Sequence, residues 1–217
     1  GSINSTGYFN STLVGLYSVT ASGGSAVNST TVAVTPSTAY SVSITGAPTT
    51  LTVGQNSTLN VTVRDIWTNL VSNGQEVNFT TASGSIDSPT TTTSGVTKAN
   101  LTASTVPIDG VLINASILGV GSATTLVNFT VGAPAVLNIS LIPTGTNAGG
   151  ISVINASVSD VYQNPISGAL VSLIITSQPG INGAITSPTL VTNAGGYATT
   201  QLTTATNAGV TSIQATI

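Results

Sequence analysis

The chain has 217 residues, only 3% of them charged, with a net charge of −3 and no His, Cys or Met. An average soluble domain is about 25% charged. This inventory excludes disulfides, metal sites built on His or Cys, and Ser-His-Asp or Cys-His catalysis. The two cations, Arg64 and Lys98, are too few to hold a nucleic-acid backbone.

The apolar share of 40% with so little charge is the reverse of a disordered composition. The chain can therefore bury a core. No apolar run reaches the ~18 residues of a membrane span. The missing Met points to a removed leader or to a stretch of a longer protein, and Gly1-Ser2 matches a cloning scar. Eleven of the 18 asparagines begin an Asn-x-Ser/Thr sequon: Asn4, Asn10, Asn28, Asn56, Asn60, Asn78, Asn100, Asn114, Asn128, Asn138 and Asn155. Composition alone gives about 6. N-linked glycans are the expected partners of these sites and place the chain outside the cell, at its surface. They would also keep a nearly uncharged chain soluble.

Residues 1–36 open the chain with Tyr8, Phe9, Leu13, Tyr17, Val19, Val32 and Val34 among small polar residues. From Tyr40 onward apolar and polar residues alternate. Leu59, Val61 and Val63 interleave with Asn60 and Thr62, and the same pattern recurs at 77–81, 126–131 and 153–158. Period-2 alternation with β-branched residues, broken by Gly, Pro, Asn and Ser, is the all-β signature.

The chain repeats itself. Asp65-Ile66-Trp67-Thr68-Asn69-Leu70-Val71 returns 95 residues later as Asp160-Val161-Tyr162-Gln163-Asn164-Pro165-Ile166. Ser94-Gly95-Val96, with Leu101 six after its Gly, matches Gly195-Gly196-Tyr197 with Leu202, and also Thr6-Gly7-Tyr8 with Leu13. Ile113-Asn114-Ala115 matches Ile213-Gln214-Ala215 and Val19-Thr20-Ala21. A gap-free match carries Gly24 through Val34 onto Gly121 through Val131, and on through Tyr40, Val42 and Ile44 to Leu137, Ile139 and Leu141. A repeat of about one hundred residues in short strands is the size of an immunoglobulin-like sandwich of about seven strands.

The reading is all-β: tandem immunoglobulin-like sandwiches at 37–133 and 134–217, preceded by a strand segment at 1–36. The second sandwich stops at Ile217, before its last strand. The first 34 residues read as the last three strands of a sandwich whose first four are absent. The Asp-x-x-x-Asn-x-Val motif, the Gly-rich stretch and Leu-Thr resemble the group 1 bacterial immunoglobulin-like domains of invasin- and intimin-type and archaeal surface proteins. That resemblance implies extracellular spacers without catalytic residues. Composition and layout also resemble archaeal thread-type surface filaments, whose subunits join by donated strands.

The expected function is therefore a structural subunit of a surface filament. Its N-terminal strands would complete the second sandwich of the next copy, with Tyr8, Phe9, Leu13, Tyr17, Val19, Val32, Val34, Ile213, Ala215 and Ile217 at the joint. The alternative is a rigid spacer of a longer adhesin or surface-layer protein. No enzyme, cofactor, metal, membrane span or nucleic-acid partner is expected. The five acids, Asp65, Glu76, Asp87, Asp109 and Asp160, fall in no catalytic motif. Asp65 and Asp160 could be Ca²⁺ ligands, but an Asp bonded to its own turn is the commoner use of that position. Glu76 and Lys98 are candidates for an isopeptide crosslink, although parity with Leu101 turns Lys98 outward. Trp67 reads as an aromatic plug over the sandwich end, and Thr90 to Thr93 as a solvated loop. So few titratable groups predict stability nearly flat from about pH 2 to 7.

Overall fold

The computed structural model describes residues 6–217. Among them it contains strands and turns and no helix. They form two compact units, one running up to Ser104 together with Asp109–Asn128, the other comprising Thr105–Ile108 and Phe129–Ile217.

The first unit begins with a hairpin, β1 (Gly15–Gly23) and β2 (Ala26–Val34), which form a two-stranded sheet of their own. Then come β3 (Ser41–Gly46), β4 (Thr50–Thr52), β5 (Asn56–Arg64), β6 (Glu76–Thr81), β7 (Ser85–Ile86), β8 (Thr90–Thr91), β9 (Val96–Thr102), β10 (Ile108–Ile117) and β11 (Gly121–Thr130). They make one sheet in the order β3-β5-β9-β7 and another in the order β4-β11-β10-β6-β8. Val61, Val63 and Ala99 from the first sheet share one core with Val77, Phe79, Ala115 and Ile117 from the second. Alternation along β5 follows the expected faces, with Leu59, Val61 and Val63 buried and Asn60 and Thr62 turned out.

The second unit repeats the plan with β12 (Val136–Ile142), β13 (Ile151–Ser159), β14 (Leu170–Ser177), β15 (Ala184–Ile185), β16 (Thr189–Val191), β17 (Tyr197–Thr203) and β18 (Ser212–Thr216). The sheets are β12-β13-β17-β15 and β16-β14-β18. Ile154, Val158 and Leu202 of the first meet Val171, Leu173 and Leu190 of the second.

Three expectations need correction. Residues 6–14 form no strand, although Gly7-Tyr8 and Leu13 copy the spacing of β9. In β9 that spacing is held by β5 alongside, and the N-terminal segment has no such neighbour to supply backbone partners. The gap-free match of Val42 to Ile139 is two residues out of step. Val42 pairs with Val63 and Leu137 with Val158, so Val42 corresponds to Leu137 at the offset of 95 that the Asp turns carry. Thr90 to Thr93 is not a solvated loop. Thr90 and Thr91 pair with β6, and Thr92 is buried, its hydroxyl donating to the Ser72 carbonyl at 3.0 Å and accepting from Gln75 N–H at 3.1 Å.

Candidate functional site

Two features stand out on the repeats: the Asp-x-x-x-Asn turns, and the open edge of the second unit. The turns come first because they tie down the segments beside them.

Asp65 is buried where β5 ends. One carboxylate oxygen accepts from Trp67 N–H at 3.0 Å and Asn69 N–H at 2.9 Å, and the other from Ser37 N–H at 3.0 Å. The Asn69 amide donates to Asp65 and, at 2.7 Å, to the Thr12 carbonyl, while its oxygen accepts from Val14 N–H at 3.3 Å. Asp160 does the same with Tyr162, Asn164 and Gly132, and the Asn164 amide reaches the Thr105 carbonyl at 2.8 Å. The Asp at each turn therefore works as a hydrogen-bond hub. Among the described residues no group of His, Cys, Asp or Glu could hold a metal ion. Thr12 occupies the role that Thr105 has before β10. This sets β1 and β2 beside the first unit's turn as the equivalents of β10 and β11.

Burial pushes both carboxyl pKa values up, but the hydrogen bonds to the ionised form outweigh it and hold Asp65 and Asp160 below the ordinary value of 3.8. A folded-state pKa below the unfolded one stabilises the fold fully above the unfolded value, and that stabilisation is lost as pH falls through the folded pKa. The flat range is thus narrower than composition suggests. Melting temperature should be constant from about pH 7 to about pH 5 and fall below that. The double variant Asp65→Asn/Asp160→Asn should melt lower at pH 7 and show a shallower acid fall in differential scanning calorimetry.

The open edge belongs to β18. In the first unit β10 lies between β6 and β11, and Ile113 and Ala115 are fully buried. In the second, β18 pairs with β14 on one side and, among the described residues, with no strand on the other. Ile213 and Ala215, equivalent to Ile113 and Ala115, remain only partly buried against the core. β4 has no counterpart strand either. Gln55 N–H donates to the Thr52 carbonyl as Gly150 N–H does to Asn147, so buried Leu51 and Val53 correspond to Thr146 and Ala148. Those two residues line an open cleft of about 440 Å³ together with Leu141, Leu202 and Val210.

The N-terminal candidates are largely uncovered. Tyr8 is 96% exposed and Leu13 65%, and the exposed Phe9 sets its ring at a tilt 5.2 Å from that of Tyr17, whose hydroxyl donates to the Leu13 carbonyl. Tyr17 lies across from Val32, Val19 across from Thr30, and Gly15 across from Val34. Ile217 is exposed. Of the sequons, Asn4 lies outside the described residues. Asn10 sits in a loop, and the other nine occupy strands, none of them fully buried although the Asn114 Oδ1 is enclosed. The asparagines outside sequons all sit in turns and loops. Lys98 is exposed on β9 and Glu76 on β6, in different sheets, so no core crosslink joins them. Trp67 is 51% exposed and Tyr162 42%. Both are about half exposed, so neither is a buried plug over the end of its unit.

No family model and no curated protein matches the chain. Among solved structures it is similar to the Escherichia coli adhesin FdeC, with a TM-score of 0.57, 15% identity and coverage of 87% of this chain and 63% of that one. The Yersinia pseudotuberculosis adhesin InvE follows at a TM-score of 0.39 and 22% identity over 81% of this chain and 54% of that one. Surface-layer protein SbsC, domains 4–9, gives 0.38 and 15% over 93% and 33%. The chain thus spans less than two thirds of the FdeC and InvE structures. The likeness to FdeC defines the class of fold, immunoglobulin-like repeats of the kind found in that adhesin, in agreement with the repeat motif.

Proposed function

We infer that the chain is a structural subunit of an extracellular surface filament. The N-terminal strands of one copy add to the open β18 edge of the next. The observation that carries this reading is the contrast between Ile113 and Ala115, fully buried beneath a flanking strand, and Ile213 and Ala215, half-covered beside an unpaired edge. Unpaired strand edges are templates for another strand. The hairpin is a fitting donor. A two-stranded ribbon is marginal by itself in water, and β2 keeps one edge free. At the offset of 95, Val32 stands where Val127 closes the first unit's core. The contact joins two different surfaces, so it propagates as an open chain. The strand sequons other than Asn28, which shares the Val32 face of β2, support glycans on the exposed faces and a location at the cell surface. Aggregates would otherwise be expected of an uncharged β protein.

Deleting residues 1–36 should abolish filaments in negative-stain electron microscopy, and a synthetic peptide of residues 24–36 should bind the shortened chain. Filaments that form as before would refute strand addition. The second reading is a spacer of a longer surface adhesin or surface-layer protein, favoured by the fold shared with FdeC. In that case following residues would cover β18, and the intact mass of the native polypeptide would exceed 21.3 kDa by at least one further strand after glycans are removed.

A further inference from the structure

The two units carry equivalent sheets with opposite outer faces. In the first, Thr80 pairs with Asn114, Asn78 with Ser116 and Glu76 with Thr91. In the second, the same pairs are Ile174 with Gln214, Ser172 with Thr216 and Leu170 with Val191. Two sequon asparagines, Asn78 and Asn114, have become Ser172 and Gln214, which begin no sequon. Three polar residues have become Leu170, Ile174 and Val191, which are 58, 55 and 62% exposed. Leu112 against Ser212 is the one exchange in the other direction. On the opposite sheet of the second unit Asn155 keeps the place of Asn60 and Asn138 replaces Ser43, so that face still carries two sequons, although Asn56 and Asn100 have become Ile151 and Gln201. Burial cannot account for the exchange, because the apolar side chains point into solvent.

We propose that the outer face of β16-β14-β18 is a lateral docking surface for the same face of a second copy, holding filaments side by side. The choice of a second copy rests on the strand-addition reading. The face is uncharged, so it offers nothing to a partner steered by charge. It is also continuous with the β18 edge. When β2 adds to β18, it and β1 extend the sheet with Leu16 and Val27 on one side, and Asn28, the hairpin's sequon, falls on the other. Size favours this arrangement. Strands about 4.8 Å apart and about 20 Å long give three strands roughly 600 Å² of total contact, and five strands about 1,000 Å², near the lower bound for a specific interface. A single subunit is therefore too narrow to pair, whereas a filament repeats the contact along its length.

The test transplants the first unit's residues: Leu170→Glu, Ile174→Thr and Val191→Thr, which an equivalent sheet already tolerates. A second variant, Ile174→Asn, completes a sequon with Thr176 and is made in a glycosylating host. Electron microscopy of native-source and variant filaments should show wild-type filaments paired or bundled. Both variants should give single filaments of unchanged axial repeat, with bundling reduced at least tenfold. Wild-type filaments that never pair, or variants that bundle like wild type, would overturn the docking face and leave strand addition standing. Absence of filaments in the wild type would overturn both.

Discussion

Asp160→Ala should cost the second unit about 3 kcal/mol or more, because buried donors left without partners cost about 1–3 kcal/mol each. The carboxylate serves the backbone N–H groups of Gly132, Tyr162 and Asn164 and the Asn164 amide, all at 3.0 Å or less. Alanine leaves the Asn164 backbone N–H without its acceptor, leaves the Asn164 amide only the Thr105 carbonyl, and frees the chain at Gly132. A domain is stable by only about 5–15 kcal/mol, so the transition of this unit should drop by several degrees. The units need not unfold together, which makes the measurement specific. Trp67, the only Trp, belongs to the first unit, so its fluorescence transition should stay in place while calorimetry shows the other one move. Asp160→Asn should fall between wild type and Ala. It keeps one acceptor oxygen but sets an amide donor against two others. Equal stability of Asp160→Ala and wild type would show that the hub carries no load.

Gly196→Ala should be among the most damaging single methyl additions in the molecule, alongside Gly84→Ala, whose Cβ would run into the Thr102 carbonyl oxygen. Gly196 has φ +76°, and a Cβ there would lie 2.7 Å from the Val158 carbonyl oxygen and 3.0 Å from Pro165 Cβ. Neither can retreat cheaply, since Val158 N–H donates to the Gly196 carbonyl at 2.9 Å across the same contact. Gly168 provides the control. Its φ is also +76°, but a Cβ there meets nothing within 4 Å. Gly168→Ala should therefore cost only the left-handed backbone term, about 1–2 kcal/mol. The steric clash should add at least about 2 kcal/mol to that for Gly196→Ala. Urea midpoints of the two variants measure the difference directly. Comparable losses would mean that the glycine is needed for its φ alone.

These two residues also show how much could be read beforehand. Asp160 and Gly196 both stood out as repeats of Asp65 and Gly95, yet the spacing said nothing of their connection. In the fold each glycine carbonyl accepts from the strand that ends in the Asp, Val63 to Gly95 and Val158 to Gly196. Thr192 stands out nowhere in the sequence, and Thr92 reads there only as part of a solvated loop. Each hydroxyl is buried and bonds two backbone groups. A buried Thr in a Thr-rich chain leaves no mark in an apolar-polar pattern. The two-residue slip in matching Val42 has a related cause. A strand pattern has period 2, so an even slip keeps every side chain on its proper face, and only backbone pairing reveals it.

What the sequence determined by itself was local and periodic: the all-β class, the inward faces of β5 and β9, the outward Lys98, the hundred-residue repeat and the turn asparagines. Those follow from side-chain alternation and turn chemistry, which act over a few residues. Tertiary structure alone decided which segments became strands, which edges stayed open, and how deeply equivalent residues were covered. Ile113 and Ile213 sit in the same motif, and residues 6–14 copy the spacing of β9. A strand exists only where another backbone pairs with it, and burial depends on what lies across the core. Both conditions are set by residues distant along the chain, which no local pattern encodes.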